Sequence, residues 1–151
     1  MDNRMKQLYQ ELILDHNKKP RNFHVMENFD HESLGHNPLC GDKLVVYIKV
    51  GEGETIEDVS FVGEGCAISK ASASMMTTAL KGKTIQEAKI IYTQFHEMST
   101  GKLDIAEHPH QLGKLAIFAG VRDLPARVKC ATLAWHTLDA ALQGRKSITT
   151  E

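Results

Sequence analysis

Three cysteines and one aspartate are the residues of this chain that most clearly point to chemistry. The run Cys40-Gly41-Asp42 sets a thiol and a carboxylate on either side of a glycine, whose backbone freedom lets both side chains turn toward one point at a loop tip. The other two cysteines are Cys66 and Cys130. Four such ligands are the number that a tetrahedral zinc ion takes, so we predict a metal site formed by these residues.

A purely structural interpretation of the same residues stays open at this point. No two cysteines have the short spacing of a zinc finger, and each thiol can be a small buried hydrophobe. Against this, we expect all three thiols at junctions between loops and regular elements rather than inside apolar stripes. Asp42 has its own alternative as a turn residue bonded to local backbone. His36 is the nearest competing ligand, and we interpret the other seven histidines as solvated or structural.

Two cations lie just before the last cysteine. Lys129 adjoins Cys130, and Arg127 lies two residues further upstream. Their ordinary interpretation is that of solvated helix residues. A functional interpretation is that positive charge near a thiolate stabilises the anion and steers a charged sulfur donor toward it.

Hydrophobic patterning predicts the strands that carry the first two ligands. Residues 44–50 and 56–62 are β-branched or alternate with period two around a glycine turn, which indicates a hairpin. A shorter strand over 33–37 is expected to join it, so that the Cys40 corner connects the first two strands of a three-stranded antiparallel sheet. Before this sheet, apolar residues at helical spacing predict a helix over 2–16, with Asp2 as its N-cap.

The second half of the chain is predicted to be helical. Cys66 falls at the start of a helix over 67–81, where unpaired N–H groups and the helix dipole favour a thiolate. The run Thr84-Ile85-Gln86-Glu87 is a capping box for the next helix. A short apolar helix is expected around 112–119, and Pro125 stands near the first position of the last helix. Together these elements predict an α+β fold with helices packed on one face of the sheet.

Size and charge set bounds on the class of protein. The chain has 151 residues, 42% of them apolar, which fits a single domain over 1–151. The formal net charge of −1 and the lack of a dense basic run argue against nucleic acid as a partner. Charges at the start argue against a signal peptide, and no apolar run is long enough to span a membrane. We therefore expect a cytoplasmic protein, whose odd cysteine count favours metal or redox chemistry over disulfides.

Three sequence blocks resemble the U-type iron–sulfur cluster assembly family, also called the NifU amino-terminal or IscU-like family. They are Cys40 to Asp42, Gly63 to Ser69 and Arg127 to Trp135, and the resemblance spans nearly the whole chain. It implies an α+β fold that gathers three cysteines and an aspartate at one exposed edge. It also implies that they hold zinc or a nascent [2Fe–2S] cluster, fed by a cysteine desulfurase. Carried over by position, the ligands are Cys40, Asp42, Cys66 and Cys130.

Two departures from the housekeeping scaffold make the chain similar to the SufU branch. Lys129 stands where that scaffold has a histidine, and the stretch between Cys66 and Cys130 is longer, with the extra residues placed around 91–110. A lysine is a cation at neutral pH and a poor metal ligand, which argues against holding a cluster. The SufU branch is similar to zinc-dependent sulfur acceptors of the SufS-type desulfurase, and we predict this role, with Cys40 as the acceptor.

Two other function classes remain alternatives. One is a scaffold that builds a [2Fe–2S] cluster with other cluster assembly proteins and transfers it to apo-protein recipients. The other is a small domain in which zinc only holds the fold together.

Overall fold

The regular elements bring distant parts of the sequence to one side of a sheet. The computed structural model describes residues 3–150, and the predicted N-cap Asp2 lies outside this range. The elements in chain order are α1 (Asn3–Lys18), β1 (His31–Asn37), β2 (Asp42–Gly51), a 3-10 helix (Glu52–Glu54), β3 (Thr55–Glu64), α2 (Ala67–Leu80), α3 (Ile85–Ser99), a 3-10 helix (Gly113–Val121), α4 (Pro125–Leu142) and β4 (Ser147–Thr149). Within the described residues, no helix combines the length and apolar character needed to cross a membrane.

The sheet has one strand more than the sequence predicts. Strands β1, β2 and β3 form the expected antiparallel set, but β4 adds to the edge of β1 in parallel, giving the order β3-β2-β1-β4. The prediction of a three-stranded, purely antiparallel sheet is therefore wrong. The reason is that β4 spans only Ser147–Thr149 and owes its place to backbone pairing with β1, including the bond from Leu34 N–H to the Lys146 carbonyl (2.9 Å). A segment this short shows no periodicity in the sequence.

The site lies on the face of the sheet that the helices cover. Leu44, Val46 and Ile48 alternate along β2 toward this face and are fully buried beneath α2 and α4, as the predicted packing of helices on one face requires. Residues two apart on a strand point to the same side, so Asp42 faces the helices as well. On β1 the inward position Gly35 has no side chain, and a Cβ there would overlap the Thr137 hydroxyl of α4. The last helix therefore lies very close to β1.

The helix predictions hold with small changes at the ends. Cys66 is the N-cap of α2, Thr84 and Glu87 form the predicted capping box of α3, and Pro125 opens α4. The apolar run predicted as a helix over 112–119 is a 3-10 helix. Leu8, which fits the helical spacing of the α1 stripe, is instead 42% exposed.

Aromatic packing fixes α4 against the rest of the helical layer. The Trp135 ring stacks on Phe95 of α3 with ring centroids 4.5 Å apart, and Phe118 packs edge-on against Phe95. Phe118 in turn contacts the Tyr9 ring of α1. Because Trp135 is fully buried, α4 has little freedom to slide, and the side chains on its first turns are held in place.

Candidate metal centre

The turn between β1 and β2 carries Cys40. It links Asn37 to Asp42, and the Cys40 N–H donates to the Asn37 carbonyl (3.3 Å). Gly41 adopts φ +73°, a conformation that side chains disfavour, and open space surrounds it. Cys40 is exposed. Its thiol therefore sits on an exposed turn, with open space beside Gly41.

Asp42 is the fully buried hub of the site. Its Oδ1 accepts the Cys66 backbone N–H (2.8 Å), and its Oδ2 accepts the Ser69 hydroxyl (3.0 Å) and the Asn37 side-chain amide (3.3 Å). The interpretation of Asp42 as a turn residue bonded to local backbone is wrong, because these bonds tie β2 to the start of α2. Gly65 makes this approach possible, since a Cβ there would lie 2.6 Å from Asp42 Oδ1.

Cys66 combines a helix cap with a thiol of unusual acidity. Its Sγ accepts the Ser69 N–H at 3.4 Å, as the predicted position at a helix start requires. The pKa of the Cys66 thiol is lowered to about 6, chiefly by a hydrogen bond from the Cys130 thiol, while burial opposes the shift and the Ser69 N–H assists it. Without any metal, this geometry already favours a thiolate at neutral pH.

Cys130 lies in a different environment from the one predicted. It is buried in the second turn of α4 rather than at a junction between a loop and a helix, because that helix already begins at Pro125. Its Sγ is 3.3 Å from the Cys40 Sγ and 3.8 Å from the Asn37 side-chain nitrogen. The hydrogen bond to Cys66 and burial both raise the pKa of the Cys130 thiol.

These side chains converge on one point. The ligand atoms of Cys40, Asp42 and Cys130 all lie within 4.8 Å of one another, which makes them a candidate metal site among the described residues. Cys66 is not part of that group, but its Sγ is 3.9 Å from Asp42 Oδ2. His36 is not part of it either. It neighbours Asn37 on β1, and successive strand residues point to opposite faces.

The chemistry of the donors fits the metals that the sequence suggests. Thiolates and carboxylate oxygen are both ligands of tetrahedral zinc, and thiolates are the ligands of iron–sulfur clusters. The charge of a bound metal ion would keep the thiols deprotonated at neutral pH. The site is also asymmetric, since Cys40 faces solvent while Asp42 and Cys130 are buried.

Three neighbours of the site were not found from the sequence. Ser69 and Asn37 are both fully buried and bond to Asp42. The Tyr9 hydroxyl is buried with no hydrogen-bond partner among the described residues. Burial raises the pKa of Tyr9, the Arg127 charge lowers it, and the charges of Cys66 and Cys130 raise it further. The apolar spacing of α1 marks Tyr9 only as a core residue.

The two cations expected to support the site lie at the start of α4. Arg127 is exposed and Lys129 is half-buried, and neither forms an ion pair within residues 3–150. The charge of Arg127 lowers the pKa of Tyr9. The electrostatic role of both residues stays a prediction.

Comparison with known proteins gives close relatives of two kinds. The family described as NifU-like N terminal domain matches residues 8–131. The chain is 43% identical over 132 residues to the zinc-dependent sulfurtransferase SufU of Bacillus subtilis, covering 87% of each chain. It is 39% identical over 140 residues to the iron-sulfur cluster assembly scaffold protein IscU of Streptococcus pyogenes serotype M1, covering 93% of this chain and 86% of the relative.

A solved structure supports the same relationship at the level of the fold. The putative iron-sulfur cluster assembly scaffold protein for the SUF system from Fervidobacterium islandicum AW-1 superposes with a TM-score of 0.80 at 38% identity, covering 90% of this chain and 97% of the other. The chain therefore belongs to the NifU-like N-terminal domain family and is an iron–sulfur cluster assembly protein of the SufU and IscU kind.

Proposed function

We propose that this protein is a zinc-bearing sulfur acceptor that takes persulfide sulfur from a SufS-type cysteine desulfurase and relays it to cluster synthesis. The observation that carries the proposal is the unequal exposure of the three thiols, since Cys40 is exposed, Cys66 is half-buried and Cys130 is buried. One sulfur is thus accessible to a partner while the others are shielded. The 43% identity to a protein named zinc-dependent sulfurtransferase supports this choice.

The transfer step uses Cys40 as the nucleophile. Its thiolate attacks the outer sulfur of the persulfide on the desulfurase cysteine, forming a new S–S bond on Cys40. The S–S bond on the desulfurase breaks, and its cysteine leaves as a thiolate. The proton of the outer sulfur stays with that sulfur, so Cys40 carries a persulfide at the end. The open space around Gly41 allows the turn to move during this exchange.

The remaining site residues hold the metal and balance its charge. In this proposal Cys66, Cys130 and Asp42 would hold the zinc ion, and Cys40 would be the thiol available for sulfur transfer. Three thiolates and a carboxylate outweigh the two positive charges of zinc, so the loaded site is anionic. Arg127 and Lys129 would offset this excess of negative charge and stabilise the thiolates.

Persulfide mapping tests the assignment. The zinc-loaded protein is incubated with a SufS-type desulfurase and L-cysteine, and modified thiols are identified by mass spectrometry. We expect the label on Cys40 and its loss in Cys40→Ser. The substitution Leu39→Ala changes an exposed residue of the same turn and keeps the thiol, so it should retain the label. A label found on Cys66 or Cys130 but never on Cys40 would reject the assignment.

A scaffold role is the second candidate. It is favoured by the 39% identity to a protein named as a scaffold, close to the value for the sulfurtransferase. The two roles differ in what the purified protein holds and does. Zinc on isolation together with strong stimulation of desulfurase turnover supports the sulfur acceptor. A stable cluster formed without oxygen and passed to an apo-ferredoxin, with no such stimulation, supports the scaffold.

A further inference from the structure

Asn37 is a buried polar residue that the proposed transfer step does not use. It is fully buried on the inner face of β1, directly opposite Asp42 in the strand pairing. Its side-chain nitrogen contacts Asp42 Oδ2 at 3.3 Å and Cys130 Sγ at 3.8 Å. Its side-chain oxygen accepts the hydroxyl of Thr150 at 3.1 Å. One amide therefore joins two candidate metal ligands to the C-terminal segment.

The Thr150 bond holds the amide at the end opposite the ligands. An amide nitrogen has two protons, one for each of its two acceptors here, while the oxygen can only accept. A flipped Asn37 would turn its oxygen toward the Asp42 carboxylate and the Cys130 sulfur, which are also acceptors. The two acceptors at the site therefore select the orientation seen, and the Thr150 hydroxyl, which can donate or accept, donates to the oxygen and holds the side chain in place.

The position of Thr150 depends in turn on β4. The Thr150 N–H donates to the His36 carbonyl at 3.0 Å, directly after the three residues of β4 that pair with β1. A three-residue strand at a sheet edge buries little and is held by few bonds. Such an element opens at low free-energy cost, and each added contact changes its docking measurably.

We propose that Asn37 is a positioning residue for the metal ligands Asp42 and Cys130, and that the bond from Thr150 holds it in position, so that metal binding and docking of β4 strengthen each other. The proposal rests on the metal site in the proposed function but not on sulfur transfer. Coupling of this kind is reciprocal. If undocking of β4 weakens metal binding by some factor, bound metal must favour the docked strand by the same factor.

Cobalt binding measures this coupling without any assay of activity. Affinity for Co²⁺ is determined by competition with a chromophoric chelator, and the visible spectrum of bound Co²⁺ reports its ligands. Removing one net hydrogen bond in Thr150→Val should weaken Co²⁺ binding by about threefold to tenfold and shift the spectrum. Thr150→Ser keeps the hydroxyl and should restore both. Thr149→Val makes the same change at the exposed neighbour and should have no effect.

Two further measurements strengthen the test. Asn37→Leu removes all three contacts and should weaken Co²⁺ binding by about ten- to a hundredfold, as is common for residues that orient metal ligands. Hydrogen exchange of the Thr150 amide in the wild-type protein should slow when Zn²⁺ is added. In Thr150→Val the same addition should slow the exchange less.

The outcomes separate this proposal from the proposed function. A Thr150→Val protein with wild-type affinity and spectrum overturns the coupling, even if sulfur still reaches Cys40. Equal weakening by Thr149→Val also overturns it, because the effect would then be one of strand stability alone. A wild-type protein that binds no Co²⁺ overturns both. If the variants behave as expected but sulfur never reaches Cys40, the coupling stands and the proposed function fails.

Discussion

Replacing Ser69 by alanine should weaken both the fold and the metal site. The Ser69 hydroxyl is fully buried, donates to Asp42 Oδ2 at 3.0 Å and lies 3.1 Å from the Cys130 carbonyl. A hydrogen bond to a charged acceptor contributes about 1.5 to 3 kcal/mol, so metal-free Ser69→Ala should lose stability of that order. Its zinc affinity should also fall by about ten- to a hundredfold, because Asp42 loses a bond that orients it.

Ser72 provides the matched control on the same helix. It is also fully buried, donates to the Ala131 carbonyl of α4 at 2.6 Å and accepts the Trp135 indole N–H at 3.2 Å. Ser72→Ala leaves the indole N–H without this acceptor, at a cost of about 1 to 3 kcal/mol. It makes no bond to Asp42, so its zinc affinity should stay within about twofold of wild type, the scatter expected for distant sites.

Two measurements on each variant decide the matter. Urea unfolding of the metal-free protein gives the loss of stability, and competition with a chromophoric chelator gives zinc affinity. The reasoning requires similar stability losses and clearly different affinities. If Ser69→Ala and Ser72→Ala weaken zinc binding equally, or if neither does, Asp42 is not oriented by Ser69 and the account of the site is wrong.

Three other predictions follow from the geometry. Gly65→Ala should lower stability and zinc affinity together, because the added Cβ would lie 2.6 Å from Asp42 Oδ1. Gly113 has open space around it, so Gly113→Ala should leave zinc affinity unchanged in the same competition assay. Zinc at a hundred times the wild-type dissociation constant should raise the wild-type free energy of unfolding by about 2.7 kcal/mol in urea titrations. An Asp42→Ala protein that gains as much at the same zinc concentration would exclude Asp42 as a ligand. Burial and, secondarily, the His96 charge lower the pKa of His136. The unfolded state therefore takes up the proton first, so the free energy of unfolding should decline as pH falls below about 6.5, and His136→Gln should decline less in urea titrations at several pH values.

Local signals in the sequence locate part of the site well. Cys66 is correctly placed at a helix start, because a strand ending in glycines passes directly into an Ala- and Ser-rich run. The inward direction of Asp42 could also have been predicted, since it precedes Leu44 by two residues on the same strand face. Signals of this kind depend only on neighbours within a few residues.

Contacts between distant residues explain what the sequence does not reveal. Asn37 takes part in the site through Cys130, 93 residues away, and Thr150, 113 residues away. Nothing within a short window marks such a role. Strand β4 is too short to show a period, and its pairing with β1 depends on where α4 ends. The sequence predicts Cys130 at a junction between a loop and a helix, whereas it is buried inside α4. Burial within a helix depends on packing against other elements, which local sequence does not show.

The gap between the last helix and the sheet is determined by a residue that touches no ligand. At Gly35 a single methyl group would act as a wedge against Thr137 and Leu133. An α-helix moves as a rigid unit, so displacing α4 from β1 at Gly35 would also move the Cys130 sulfur away from the Cys40 sulfur. The two sulfurs are 3.3 Å apart. The separation of these two thiols therefore depends on the absence of a side chain at Gly35, in an inner strand of the sheet.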